Sequence, residues 1–129
     1  MKIGVTILAA GSSKRMGNQN KLLLLVNNKP ILYILCKSVL KADINQVVLV
    51  TGYQKKKIEN VLPNGIDTIV HNEHWEKGMM SSIHVGISNL QHDIDANMII
   101  LGDMPLIKTN TINSIICAFN SNKGKYIVY

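Results

Sequence analysis

Short β-branched runs alternate along this chain with longer segments whose apolar residues recur every three or four positions. Ile3, Val5, Ile7 and Leu8, with small Gly4 and Thr6 between them, predict a strand suited to the middle of a parallel sheet. Leu22 to Val26 is a second β-like run, closed by the polar turn that ends at Pro30. Pro30 to Ala42 predicts a helix burying Ile31, Ile34, Leu35, Val39 and Leu40. Gln46 to Val50 is the next buried strand, and Gln54 to Leu62 a helix with Ile58, Val61 and Leu62 inward, stopped by Pro63, Asn64 and Gly65. Ile66 to Val70 is a further strand, followed by a helix from about Met80 to Leu90 and a strand from Asn97 to Leu101. Thr109 to Asn120 predicts a helix with Ile112, Ile115, Ile116 and Phe119 inward, and Lys125 to Tyr129 a final strand. Strands alternating with helices imply an α/β domain with a parallel sheet and right-handed crossovers.

Composition agrees. The 129 residues suit one domain, and a chain that is 47% hydrophobic but only 5% aromatic builds its core from Ile, Leu, Val and Met. A formal net charge of +6 favours anionic partners. The only lysine run, Lys55 to Lys57, has no aromatic residues interleaved, so it reads as a solvated helix face rather than a nucleic-acid site. Cys36 and Cys117 form no CxxC pair and are expected to be two buried thiols. The first apolar run is too short and β-like for a signal peptide, and no stretch approaches a membrane span. The expectation is a soluble cytoplasmic protein without nucleic-acid or membrane partners.

Two stretches carry chemistry. In the first, the strand ending at Leu8 runs into Ala9, Ala10 and Gly11, which leave the backbone uncovered for a polyphosphate to approach the amide N–H groups. Ser12 and Ser13 add hydroxyls, and Lys14, Arg15 and Lys21 add fixed positive charge. Read without regard to family, the same residues also suit a surface turn. Lys21 is followed by Leu22, which excludes a Walker A loop, and Gly11 and Gly17 lack the spacing of a dinucleotide fingerprint. In the second stretch, Asn72 follows a strand, Trp75 is the only tryptophan, and Gly78 precedes a helix with Ser81 and Ser82 in its first turn. An ordinary capped helix explains that spacing equally well. His71 and His74 have a metal-pair spacing, but Zn²⁺ requires further ligands that the sequence does not offer nearby. Asp103 ends the strand at Leu101, and a carboxylate there faces the crevice where α/β ligands bind. Mg²⁺ uses few carboxylates and completes its shell with phosphate and water, so Asp103 alone suffices as its anchor.

The first stretch resembles the LAAG-x-S-x-RMG…K signature of nucleotidyltransferases that move a nucleoside monophosphate onto a phosphorylated acceptor. Leu8, Ala9, Ala10, Gly11, Ser13, Arg15, Met16, Gly17 and Lys21 all fall in place. Asn72, Trp75, Gly78 and Ser82 resemble the N-x-x-W-x-x-G-x-x-x-S motif of the molybdenum cofactor cytidylyltransferase family, and Gly102, Asp103 and Pro105 supply its GD-x-P. The resemblance implies a Rossmann-like three-layer sandwich with a mostly parallel sheet, of the nucleotide-diphospho-sugar transferase type. It implies that Arg15 and Lys21 contact the β- and γ-phosphates and the transition state, and that Asp103 holds Mg²⁺. The backbone from Ala9 to Gly11 would face base and triphosphate, while Asn72, Gly78, Ser81 and Ser82 would hold the nucleoside. Ala10 points to CTP, since LAGG is typical of guanylyl enzymes. The implied acceptor is molybdopterin, with pyrophosphate released. Family members continue past a strand like Lys125 to Tyr129, so the expectation is a C-terminally truncated, nucleotide-binding half. The alternatives are an inactive nucleotide-binding or interaction module, including a homodimer covering the sheet edge, and a nucleotidyltransferase for another acceptor.

Overall fold

The computed structural model describes residues 1–11, 20–104 and 107–121. The predicted strand Lys125 to Tyr129 lies outside them. Four strands form one parallel sheet: β1 (Ile3–Ala9), β4 (Gln46–Thr51), β5 (Thr68–His71) and β6 (Ala96–Leu101), in the order β5-β4-β1-β6. A separate hairpin pairs β2 (Leu25–Val26) with β3 (Lys29–Pro30). The helices are α1 (Ile31–Leu40), α2 (Lys55–Glu59), α3 (Met79–Ser88) and α4 (Thr109–Ser121).

Alternation along β1 sorts the two faces. Ile3, Val5, Ile7 and Ala9 join Leu32, Leu35, Cys36 and Val39 of α1, Ile58 of α2, and Ile112 and Ile116 of α4 in the larger core. Leu8 and Ala10 join Val48 and Val50 on the other face, where Ile83, Val85 and Leu90 from α3 and the segment after it pack. The result is a three-layer α/β/α sandwich with β1 buried on both faces, as its run of apolar and small residues suggests. Helix α3 approaches closely because Gly86 has no side chain: a Cβ there would lie 2.4 Å from Thr6 Cγ2.

Several elements differ from the sequence pattern for local reasons. Leu22 to Val26 is mostly not strand. The Asn20 side-chain oxygen accepts from the Leu22 amide at 3.0 Å, and i to i+3 bonds from Leu23 and Leu24 make a 3₁₀ turn at Lys21–Leu23. The residual hairpin is tight, with Asn27 and Asn28 both at positive φ (52° and 66°) as a type I′ turn requires. Helix α2 is shorter than its apolar spacing suggests, because Val61 and Leu62 donate to Ile58 and Glu59 in three-residue turns instead of continuing the α ladder. In α1 the buried stripe includes Leu32 and Cys36, while Ile34 and Leu40 are only partly buried.

Cys117 is exposed, correcting the expectation of two buried thiols, since it follows Ile116 and so lies off the inward stripe of α4. Burial pushes the Cys36 thiol up to about 12. Lys55, Lys56 and Lys57 are exposed. Among the described residues no helix is long and apolar enough to cross a membrane.

Candidate nucleotide site at the switch point of the sheet

From β1 the chain crosses to β4 and then β5 on one side, and from β5 it crosses back over the opposite face to β6 on the other side of β1. The strand order therefore reverses between β1 and β6. A crevice opens at the carboxyl ends of such a pair, and it is where ligands of open α/β sheets bind. The sequence places Gly11 and Asp103 there. Gly102 lets the two strand ends close together, since its amide donates to Leu8 O at 2.9 Å and a Cβ would lie 2.9 Å from that same oxygen.

Ala9 and Ala10 do not leave the backbone uncovered, as the sequence suggested: they are 1% and 3% exposed, and Ala10 O accepts from the Tyr53 amide at 2.9 Å. Their small side chains serve packing between strand ends. Gly11 is where the backbone opens: it is exposed, and a Cβ added there would meet nothing within 4 Å among the described residues. Ser13 and Arg15 lie outside the described residues.

Lys21 reaches the crevice from the 3₁₀ turn, its Nζ 3.4 Å from Asp103 Oδ2, with the two side chains 46% and 39% exposed. The predicted phosphate cation and the predicted metal carboxylate are thus brought together. Asn20, which the sequence reading passed over, is 4% exposed and holds this turn through its cap. An Asx residue just before Lys21 was the available signal. Asp103 presents a partly exposed carboxylate just past a strand end, the kind of oxygen donor that a hard divalent cation such as Mg²⁺ takes. Among the described residues no group of three or more His, Cys, Asp and Glu side chains gathers as a ready metal cage.

The second stretch forms the neighbouring rim at the ends of β4 and β5. Asn72 is 2% exposed; its Nδ2 donates to Ser81 Oγ at 2.9 Å and Ser82 Oγ at 3.0 Å, and its Oδ1 accepts from the His74 amide at 2.9 Å. Ser81 Oγ lies 2.7 Å from Gly78 O and 3.1 Å from His74 O. Asn72, Ser81 and Ser82 do come together, yet the polar atoms that the resemblance assigned to the nucleoside bond to one another and to the turn. Gly78 is exposed with φ 107°, a conformation that favours glycine. His71 Nδ1 lies 3.2 Å from Thr51 Oγ1.

Comparison with known proteins agrees with this architecture. The chain is 30% identical over 129 residues to a 2-C-methyl-D-erythritol 4-phosphate cytidylyltransferase of Lachnoclostridium phytofermentans, spanning 95% of this chain and 54% of that protein. It is 32% identical over 112 residues to the bifunctional protein GlmU of Carboxydothermus hydrogenoformans, spanning 85% of this chain and 24% of that protein. Its fold is similar to that of Rv0371c from Mycobacterium tuberculosis, with a TM-score of 0.80 at 24% identity, covering 94% of this chain and 61% of that one. It is also similar to 4-diphosphocytidyl-2C-methyl-D-erythritol synthase from Anaerococcus prevotii, with a TM-score of 0.74 at 20% identity, covering 92% and 50%. Residues 5–129 match the model of the MobA-like NTP transferase domain, and the chain belongs to that family.

Proposed function

We propose that this chain is the nucleotide-binding part of a nucleotidyltransferase that passes cytidylate from CTP to a phosphorylated acceptor and releases pyrophosphate. The observation that carries the reading is the pairing of Lys21 with Asp103 at the switch point, with the LAAG sequence leading out of the adjoining strand β1. CTP is proposed over GTP on Ala10, and the cytidylyltransferase among the relatives supports the same base.

An acceptor phosphate oxygen attacks the α-phosphorus in line, and the bond to the bridging oxygen of pyrophosphate breaks with its electron pair leaving on that oxygen. Because the acceptor is already ionised, the protein needs no nucleophile of its own; it must hold two anions in line and offset their charge. Lys21 and Arg15 bind the β- and γ-phosphates and follow the charge onto the leaving pyrophosphate. The Gly11 amide region admits the triphosphate closely. Asp103 would hold Mg²⁺, which when bound supplies further charge neutralisation to the phosphates. Gly78 and the turn around it border the nucleoside.

The acceptor we propose is molybdopterin, on the Asn72, Trp75, Gly78 and Ser82 motif. Methylerythritol phosphate is the second reading, favoured by the cytidylyltransferase relative. The chain spans about half the length of that relative. Calorimetry with CTP, GTP, ATP and UTP in the presence of Mg²⁺ tests the nucleotide part, with CTP expected to bind tightest. Equal or absent binding of all four to folded protein refutes it. Pyrophosphate release from CTP, measured with molybdopterin and with methylerythritol phosphate side by side, decides between the acceptors.

A further inference from the structure

We infer that Asn72 and Ser81 are positioning residues that set Trp75 as one wall of the nucleotide crevice; the functional half of this statement rests on the nucleotide-binding reading. Asn72 is tied to the sheet through its own amide, which donates to Thr51 O at the end of β4 at 2.7 Å. Its side chain then fastens the beginning of the following turn, at His74 N, and the beginning of α3, at Ser81 and Ser82. Ser81 closes the loop by approaching Gly78 O and His74 O. The 3₁₀ turn Trp75–Lys77 is thus clamped at both ends, with Lys77 N donating to His74 O and Gly78 N to Trp75 O.

That clamp fixes where Trp75 sits. Its ring lies 5.4 Å from the Tyr53 ring at a 54° tilt, and it packs against the cluster of Leu8, Ala10, Val48 and Val50. Its Cβ presses on Gly52: a Cβ added to Gly52 would lie 2.6 Å from Trp75 Cβ and 2.7 Å from Ala10 O. Gly52 in turn abuts Ala10, the residue before the exposed Gly11. A chain of contacts therefore runs from a buried amide, through a hydroxyl and a turn, to the strand end from which the phosphate loop departs. Both Nδ2 hydrogens of Asn72 are taken by Ser81 and Ser82 and the side chain is buried, whereas Trp75 is only half-buried and packs against Ala10, the residue before Gly11. Recognition here is accordingly by a placed aromatic surface, with Asn72 acting through it.

Trp75 is the sole tryptophan, so its fluorescence reports its own setting. Ser81→Ala removes the hydroxyl that closes the turn while keeping the Asn72 to Ser82 bond; Asn72→Asp is the stronger perturbation. Without nucleotide, Ser81→Ala should shift Trp75 emission to the red and raise its quenching by acrylamide, with secondary structure unchanged by circular dichroism. In CTP titrations Ser81→Ala should weaken binding by about fivefold to tenfold in the native background and by under about twofold in a Trp75→Ala background, a coupling typical of residues in contact. Unchanged emission and quenching overturn the clamp. Full additivity in the two backgrounds overturns the positioning role in favour of direct contact by Ser81. If wild type binds no CTP, the nucleotide wall falls with the functional reading, and the ligand-free fluorescence still decides the clamp.

Discussion

Gly86→Ala is a demanding test of how α3 meets the sheet. A Cβ at this position would lie 2.4 Å from Thr6 Cγ2, 3.3 Å from Thr6 Oγ1 and 3.4 Å from Val50 Cγ2. Thr6 is fully buried on the central strand, and its hydroxyl donates to Asn97 Oδ1 at 3.1 Å, so rotating its methyl away also breaks a hydrogen bond. Overpacking of this kind costs ~1 to 3 kcal/mol, and the short distance to a branched side chain places it at the upper end. Alanine recovers about 1 kcal/mol of helix propensity over glycine. The net expectation is a loss of about 2 kcal/mol in urea unfolding, read as a lower midpoint with an unchanged m value. Thr6→Ser removes the offending methyl and keeps the hydroxyl, at a cost of about 1 kcal/mol for the lost buried carbon. The double variant Thr6→Ser with Gly86→Ala should therefore be no less stable than Thr6→Ser alone. A Gly86→Ala protein as stable as wild type, or more so, would refute the close helix-to-sheet contact.

The cysteines give a chemical check: Cys117 should react with a disulfide reagent in the native protein, and Cys36 only after denaturation, so the reactive equivalents differ between the two states. The same burial links Cys36 to pH. Its folded value near 12 exceeds the ordinary 9.0, so above pH 9 the unfolded chain loses a proton that the fold retains, and stability should fall by about 1.4 kcal/mol per pH unit from this group until about pH 12. Cys36→Ala should flatten that part of the urea-unfolding profile relative to wild type. Asn20→Ala should cost about 1 kcal/mol of stability through loss of the cap on Leu22 and should also weaken CTP binding, while Asn20→Ser should retain most of both.

What was legible in the sequence follows the physics of each signal. Strands β1 and β4 were readable because both are buried on both faces, which selects dense runs of apolar and small residues. The partly exposed position of Asp103 past the end of β6 was readable because a carboxylate following such a run has no core to enter. The leucines after Lys21 misled for the converse reason: an apolar run says that side chains seek burial, but a single capping amide at Asn20 decided the backbone. Ala9 and Ala10 misled similarly. Small residues permit either ligand approach or close strand packing, and only the positions of Tyr53 and Gly52 show that packing takes them. Asn72 was expected to hold the nucleoside, but nothing in a linear spacing tells whether a buried amide faces a ligand or its neighbours, and here its Nδ2 donates to Ser81 and Ser82.

The pairing of Lys21 with Asp103 changes what each should do when the other is removed. At 3.4 Å and with both side chains more than a third exposed, the pair contributes about 0 to 1 kcal/mol to the fold, so neither Lys21→Ala nor Asp103→Asn should unfold the protein. Their effects on ligand binding differ in kind. In the proposed mode, phosphate binding by Lys21 would draw its ammonium from a carboxylate that otherwise repels the same phosphates. Asp103→Asn removes both the competing partner and the repulsion, so metal-free CTP should bind at least as tightly as to wild type. CTP with Mg²⁺ should bind more weakly to that variant, because the carboxylate proposed to anchor the cation is gone. Lys21→Ala should weaken both forms, by ~1.5 to 3 kcal/mol for a lost charge-assisted hydrogen bond. The decisive measurement is calorimetry of each variant with CTP in chelator and in excess Mg²⁺. If Asp103→Asn weakens metal-free CTP as strongly as the magnesium complex, Asp103 supports the site by holding Lys21 in place and is not the metal carboxylate. If it leaves both unchanged, the ion pair is a surface contact and the crevice binds phosphate without either charge being set by the other.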